Sequence, residues 1–256
     1  MDSTILKVDG VSHRFGGLKV VDACSFSLQQ GTIGAVIGPN GAGKTTLVNV
    51  VAGALRLQSG RVQFVGREIG GWPSHRIARL GLIRTFQISR EFGAMTVLEN
   101  MLVPPQNQAG ERLWNVIFRP GVGQAEDRRL LERAIELLRT FELYEVRDEY
   151  ARNLSGGQKR LLELARAVMA DPKLLVLDEP FAGVNPALID RLARHIGELR
   201  AAGITFLLVE HNLEVVERLC DHVVVMAYGQ ALAAGRMQEL RQNPEVVRAY
   251  LGGAIA

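Results

Sequence analysis

Residues 38–45 read Gly-Pro-Asn-Gly-Ala-Gly-Lys-Thr and carry the pattern G-x-x-x-x-G-K-[ST] in full. Each fixed position has a chemical reason. Gly38, Gly41 and Gly43, with Pro39, Asn40 and Ala42 between them, form a loop whose backbone N–H groups can curl around an anionic phosphate. The helix that the loop opens adds the partial positive charge of its N-terminus. Lys44 supplies a point charge for the β- and γ-phosphates of a nucleotide, Thr45 is placed to offer its hydroxyl oxygen to Mg²⁺, and Thr46 stands beside it on the α-phosphate side. The loop also lies where the mechanism requires it, after an apolar strand-sized run at 32–37 and before a helical pattern at 44–54. A phosphate loop does not by itself specify the nucleotide or whether hydrolysis follows.

A second candidate group answers part of that. The aliphatic run 174–177 ends in Asp178-Glu179, and carboxylates at the carboxyl end of a buried strand face the ligand crevice of an open α/β sheet. Asp178 would bind magnesium directly or through water, and Glu179 would polarise the attacking water. Taken alone, an acidic pair behind four aliphatics serves equally well to cap the next helix; the phosphate loop upstream favours the catalytic reading. His211, in Val209-Glu210-His211, follows another strand-sized run, where a lone histidine is more often structural.

The elements that must position these groups are visible in the periodicity. Residues 5–28 alternate loosely apolar and polar around Gly16 and Gly17, which predicts strands and hairpins. A further strand is expected at 61–65, and Ser74, after Trp72-Pro73, is expected to cap a short helix ending before Gly81. Residues 103–125 are rich in Pro, Gly, Asn and Gln and predict an exposed loop around a short apolar piece at 113–118. An amphipathic helix follows over 125–140. Ser155-x-x-Gln158 is a capping-box pattern and opens a second helix that stops before Asp171-Pro172. Strand-sized runs at 174–177, 204–209 and 222–226 alternate with helix-like segments, which argues parallel strands with crossover helices. Trp72 and Trp114 read as packing aromatics.

Composition narrows the function classes. Lys and Arg number 30 against 27 Asp and Glu, a net +3 with no basic tract, which speaks against a nucleic-acid binder. Apolar residues make up 47 % of the chain, enough for a packed core. Residues 1–9 lack the apolar core of a signal peptide, and no apolar run approaches the roughly 18 residues of a membrane helix. Cys24 and Cys220 lie far apart without metal-site spacing and read as reduced, buried thiols of a cytoplasmic protein.

At Leu154-Ser155-Gly156-Gly157-Gln158, placed shortly before Asp178, the chain resembles the ATP-binding cassette (ABC) ATPases, and the resemblance covers essentially its whole length. It implies an α/β fold: a P-loop NTPase cassette with a RecA-like parallel-sheet core, an N-terminal antiparallel β subdomain and an inserted α-helical subdomain. The whole chain, 1–256, would be one ATPase domain, with 1–86 and 171–256 as the catalytic core lobe and 87–170 as the helical lobe bearing the signature. ATP and Mg²⁺ are the implied cofactors. Phe15 would stack on adenine, where Tyr is commoner in the family; Gln87, in Arg84-Thr85-Phe86-Gln87, would sense Mg²⁺ and face the membrane partner; His211 would contact the γ-phosphate. Glu179, His211 and Gln87 are thus the implied catalytic set, and Thr45, Gln87 and Asp178 the implied metal set. Two such domains pair head to tail, so that Ser155, Gly156, Gly157 and Gln158 of one close on ATP held by the other. Asn185 departs from the family's usual Asp.

Several stretches resemble the branched-chain amino acid importer subgroup: Ile77-Ala78-Arg79-Leu80-Gly81 with the segment at Gln87, Met95-Thr96-Val97-Leu98-Glu99-Asn100, an insertion at 104–124, and the closing segment from Asn243 to Gly252. The implied partners are transmembrane permease subunits, a second ATPase subunit (the same chain or a sister) and a periplasmic or lipid-anchored solute-binding protein acting through the permease, with no nucleic acid. The implied location is the cytoplasmic face of the inner cell membrane, as a peripheral subunit. Alternatives are another ABC system, of the lipopolysaccharide-export or the urea or amide import type, and a non-transport ABC clamp on nucleic acid or the ribosome; the last usually carries two cassettes or a long coiled coil, neither of which occurs here.

Overall fold

A computed structural model describes residues 3–85, 91–105 and 120–251. Along the chain run β1 (Thr4–Phe15), β2 (Leu18–Gln29), β3 (Ile33–Ile37), α1 (Lys44–Val51), β4 (Ser59–Phe64), β5 (Arg67–Glu68), α2 (Ser74–Arg79), β6 (Leu82–Arg84), α3 (Val97–Leu102), α4 (Pro120–Thr140), α5 (Gly156–Met169), β7 (Leu174–Asp178), α6 (Pro186–Ala201), β8 (Thr205–Val209), α7 (Leu213–Leu219), β9 (His222–Ala227), β10 (Gln230–Gly235), α8 (Met237–Leu240) and α9 (Pro244–Leu251). They form two compact units, one made of the chain up to Gln87 and from Lys173 onward, the other of Ile88–Pro172.

The first unit holds a six-stranded sheet in the order β10-β9-β3-β8-β7-β6. All neighbours are parallel except β10, which runs antiparallel to β9. Every residue of β3, β7 and β8 is buried. Strands covered on both faces read as continuous apolar runs rather than alternations, which is why 32–37, 174–177 and 204–209 stand out in the sequence. A four-stranded antiparallel sheet, β2-β1-β4-β5, lies in the same unit. There Leu6 and Val8 of β1 are buried on either side of exposed Lys7, the alternation of a strand with one covered face, and a register shift between Val8 and Val11 resets it. The second unit is helical. Its core is formed by Met101 of α3, Ala134 and Leu138 of α4, Phe141, Leu143, and Leu161, Leu162 and Ala165 of α5. The expected parallel core, antiparallel subdomain and helical insertion are therefore all present.

Three local expectations are corrected. The helix expected to reach residue 54 ends at Val51, because the N–H groups of Ala54 and Leu55 both turn back to the Asn49 carbonyl. Ser74 does not cap α2: Pro73 holds the N-cap position, and the Ser74 hydroxyl instead donates to the Gly53 carbonyl at 3.3 Å. The breaker-rich stretch gives way to helix at Pro120, not 125; proline suits a helix's first turn and each glycine there costs about 1 kcal/mol, which the rest of a long amphipathic helix offsets. Residues 106–119 of the expected loop, with Trp114, lie outside the described residues. No described helix is long and apolar enough to cross a membrane.

Cys24 is buried as expected, whereas Cys220 is only half-buried, and both thiols sit where charge is disfavoured. Burial pushes the Cys24 thiol up to about 11. Burial, together with the nearby charges of Asp221 and Glu210, pushes the Cys220 thiol up to about 12. The thiolate is the nucleophile, so at pH 8 the folded chain should leave both cysteines unmodified by iodoacetamide over a time in which the urea-unfolded chain reacts fully. Rapid native alkylation of either residue, mapped by mass spectrometry, would contradict this burial.

Candidate functional site

The phosphate loop leaves β3 and opens α1, and two of its glycines have no substitute. A Cβ on Gly38 would lie 2.0 Å from the Met226 carbonyl oxygen, and one on Gly43 would lie 2.4 Å from that of Val20, with φ at +95° besides. β9 and β2 thus press directly on the loop and hold its curl. Gly43 is the N-cap of α1 and offers no side-chain acceptor, so the first-turn N–H groups are left to an outside anion. Lys44 is buried, and its ammonium donates to the Gly38 and Pro39 carbonyls at 2.7 and 3.0 Å. Burial lowers its pKa, while the negative charges of Glu179 and Asp178 pull it back up. A cation kept dry, bonded to its own loop and facing two carboxylates, suits a charge that must meet phosphate. Thr45 is exposed, Thr46 and Pro39 are half-buried, Asn40 and Gly41 are exposed, and Ala42 is buried.

Asp178 closes β7, and its carboxylate has no solvent exposure (0 %). Oδ2 accepts from Arg84 Nη2 at 2.8 Å. Arg84, the last residue of β6, also donates through Nη1 to Asn49 of α1, so one guanidinium joins β6, α1 and β7. The other carboxylate oxygen, Oδ1, is buried without a hydrogen-bond partner. An orphaned buried oxygen beside a phosphate loop fits a hard cation, and with the Thr45 hydroxyl the donor set is all oxygen. Among the described residues no three His, Cys, Asp or Glu side chains gather as a metal cage; the residues fit Mg²⁺ that keeps water and substrate phosphate as its other ligands. Gln87 lies outside the described residues.

Glu179 adopts φ +51°, the left-handed region, and its N–H donates to the Val209 carbonyl at 2.9 Å. A non-glycine residue held there stores of order 1–3 kcal/mol, which directs the side chain off the end of β7. His211 follows β8, with its side chain 58 % exposed and Nδ1 4.0 Å from Glu179 Oε1. The structure therefore brings the phosphate loop, Asp178, Glu179 and His211 to the carboxyl ends of the adjacent strands β3, β7 and β8. Phe15 ends β1, is 50 % exposed, and meets the edge of His13 at 4.8 Å between ring centroids. Ser155, Gly156, Gly157 and Gln158 belong to the helical unit and form the start of α5, where the Ser155 hydroxyl accepts from Gln158 N–H at 3.3 Å and the Gln158 side chain accepts from Ser155 N–H at 2.9 Å. Asn185 caps α6 by accepting from Leu188 N–H at 2.9 Å, a bond that an aspartate oxygen would make equally well.

Two residues of this region lie inside motif stretches that assign them no role: Arg84 and Glu210. Nothing in those stretches distinguishes a cation ending a three-residue strand, or a carboxylate abutting an aliphatic one, as a holder of other loops.

The ABC transporter family model matches residues 21–182. The chain is similar to a probable branched-chain amino acid transport ATP-binding protein LivG of Archaeoglobus fulgidus, 44 % identical over 97 % of this chain and 95 % of that one. It is 40 % identical to the high-affinity branched-chain amino acid transport ATP-binding protein BraF of Pseudomonas aeruginosa, over 99 % of this chain and 100 % of that one. Among solved structures, a nucleotide-free ATP-binding cassette from an ABC transporter superposes with a TM-score of 0.83 at 38 % identity, covering 96 % of this chain and 98 % of that one. The ADP conformation of an ATP-binding cassette of an ABC transporter gives 0.83 at 37 %, covering 97 % and 99 %.

The Arg84–Asp178 pair makes a prediction. Arg84→Met leaves Asp178 buried without its cation, and breaking a buried pair costs about 3–5 kcal/mol. The urea midpoint should fall accordingly with an unchanged m-value; a midpoint equal to that of the wild type would show that the pair does not hold the strand end.

Proposed function

Since the chain belongs to the ABC transporter family, we propose that it is the ATP-hydrolysing peripheral subunit of an importer for branched-chain or related amino acids, working on the cytoplasmic face of the cell membrane. The observation that carries this reading is the convergence of the phosphate loop, Asp178, Glu179 and His211 at neighbouring strand ends. The names of the relatives, all ATP-binding proteins of branched-chain amino acid transport, support the substrate class.

In this reading Phe15 offers a ring face to the base, and the loop of Gly38, Pro39, Asn40, Gly41, Ala42 and Gly43 wraps the phosphates with its N–H groups. Lys44 exchanges its carbonyl partners for β- and γ-phosphate oxygens. Thr45, Asp178 and Gln87 would hold Mg²⁺, which when bound would neutralise the phosphate charge. Glu179 accepts a hydrogen bond from the attacking water and polarises it. His211 donates to the γ-phosphate. Ser155 and the N–H groups near Gly156 and Gly157, at the start of α5, complete the site of a second ATPase subunit, whether another copy or a sister chain. Each half-site is then incomplete alone, so ATP draws the pair together, hydrolysis releases it, and transmembrane permease subunits convert the cycle into transport of solute delivered by a binding protein.

The test uses the complex purified from membranes with its permease and reconstituted in vesicles. The wild type should couple ATP turnover to uptake of a branched-chain amino acid, and Glu179→Gln should lose both by about 10²–10⁴-fold while still binding ATP. Unchanged turnover in Glu179→Gln, or a preparation carrying no permease, would sink the proposal.

A further inference from the structure

Glu210 is 1 % exposed and follows directly on β8. A carboxylate taken out of water needs donor partners for its oxygens, and here, among the described residues, every hydrogen-bond donor to it is a backbone N–H. Oε1 accepts from Phe181 N–H at 3.1 Å, and Oε2 accepts from His211 N–H at 3.1 Å and from Asn212 N–H at 3.4 Å. Phe181 belongs to the loop leaving β7, two residues beyond Glu179; His211 and Asn212 belong to the loop leaving β8. One carboxylate therefore spans the two loops.

The surrounding backbone bonds make this more than a local turn. Glu210 N–H donates to the Val36 carbonyl at 3.2 Å, fixing it to β3 just before the phosphate loop, and Glu179 N–H donates to the Val209 carbonyl at 2.9 Å. The left-handed Glu179 is thus flanked by two anchors, Val209 behind it and Glu210 two residues ahead. Burial raises the Glu210 pKa, and the N–H donors of Phe181, Asn212 and His211 oppose that by favouring the charged form.

We infer that Glu210 is a positioning residue that clamps the loop carrying Glu179 to the loop carrying His211, so that contact with the γ-phosphate through His211 and alignment of water by Glu179 share one geometric reference. This inference rests on the reading that Glu179 and His211 serve hydrolysis. Its chemistry follows from donor and acceptor count. Both loops present N–H groups, so the clamp must be acceptor-only, which a carboxylate is and an amide is not. Glu210→Gln keeps the shape but turns an NH₂ toward one of the loops, whereas Glu210→Asp keeps two acceptor oxygens on a shorter arm.

The experiment is a double-mutant cycle on the reconstituted complex, measuring kcat, the KM for ATP and the affinity for a fluorescent ATP analogue in Glu210→Gln and Glu210→Asp, each alone and with His211→Ala. Sub-ångström to 1 Å displacement of a catalytic group costs up to about 10²-fold, so Glu210→Gln should lower kcat roughly 10- to 100-fold while the analogue's affinity stays within about threefold. Glu210→Asp should recover part of that loss. In the His211→Ala background the further loss from either substitution should be smaller than in the wild-type background, because one of the two catalytic groups that the clamp positions is already gone. A residue that only stabilises the fold would lower the unfolding midpoint and multiply through both backgrounds alike. The clamp is overturned if whichever variant folds keeps kcat within about twofold of the wild type, or if its fold-loss is the same with and without His211. Glu179→Gln in the same series separates the two levels: wild-type turnover there would remove the hydrolytic reading itself, whatever Glu210 does.

Discussion

The carboxylate of Asp178, buried completely at the end of an apolar strand and paired with Arg84, is the constraint from which the rest of the site follows. Such a group costs several kcal/mol to desolvate and persists only with a charged, hydrogen-bonded partner. Arg84 is that partner, and it reaches the carboxylate from β6 while also holding Asn49 on α1. The helix that carries Lys44 and Thr45 is thereby referenced to the strand that carries Asp178. Arg84 occupies one oxygen of the carboxylate and leaves Oδ1 without a protein partner, so the arrangement that makes the burial tolerable also leaves a hard oxygen for a cation.

The same economy of bonds governs the loops beyond the strands. Glu179 is held in a left-handed conformation by the Val209 carbonyl, and Glu210 collects N–H groups from both loops. The glycine loop is shaped from outside by the carbonyls of Met226 and Val20. The loop that leaves β7 at Glu179 ends where Asn185 caps α6, which explains how an amide can stand where the family commonly has an acid without loss of the local fold. None of these bonds belongs to a regular helix or ladder. At Glu210 and Asn185, backbone N–H groups beyond the strand ends, which the sheet no longer satisfies, are satisfied by a side chain.

What the sequence revealed and what it hid divide along range. The phosphate loop, the capping box at Ser155 and Gln158, and the aliphatic runs of β3, β7 and β8 are local patterns whose physics acts within a few residues, and all were legible. Arg84 and Glu210 were not, because each reaches a partner far along the chain, 94 residues away for Arg84 and 29 for Glu210, and nothing local marks a side chain as a clamp. Ser74 was misplaced for a related reason: its hydroxyl prefers a carbonyl 21 residues distant to the helix start beside it. The early start of α4 at Pro120 shows punctuation residues overruled by the amphipathic run that follows them. For Phe15 the sequence supplied the residue type, while the edge contact with His13 that sets the ring's attitude appears in the structure alone.

The central claim is that Asp178 offers Oδ1, with the Thr45 hydroxyl, to a magnesium ion on a nucleotide cradled by residues 38–46, while Oδ2 stays on Arg84. A crystal structure of the chain with Mg²⁺ and a non-hydrolysable ATP analogue tests it most directly. There the metal should be coordinated by Thr45 Oγ1 and linked to Asp178 Oδ1 directly or through one water, with the Arg84–Asp178 pair intact and Lys44 turned from the Gly38 and Pro39 carbonyls to the phosphates. A nucleotide bound away from the loop, or a metal reached only after Arg84 has left Asp178, would contradict it.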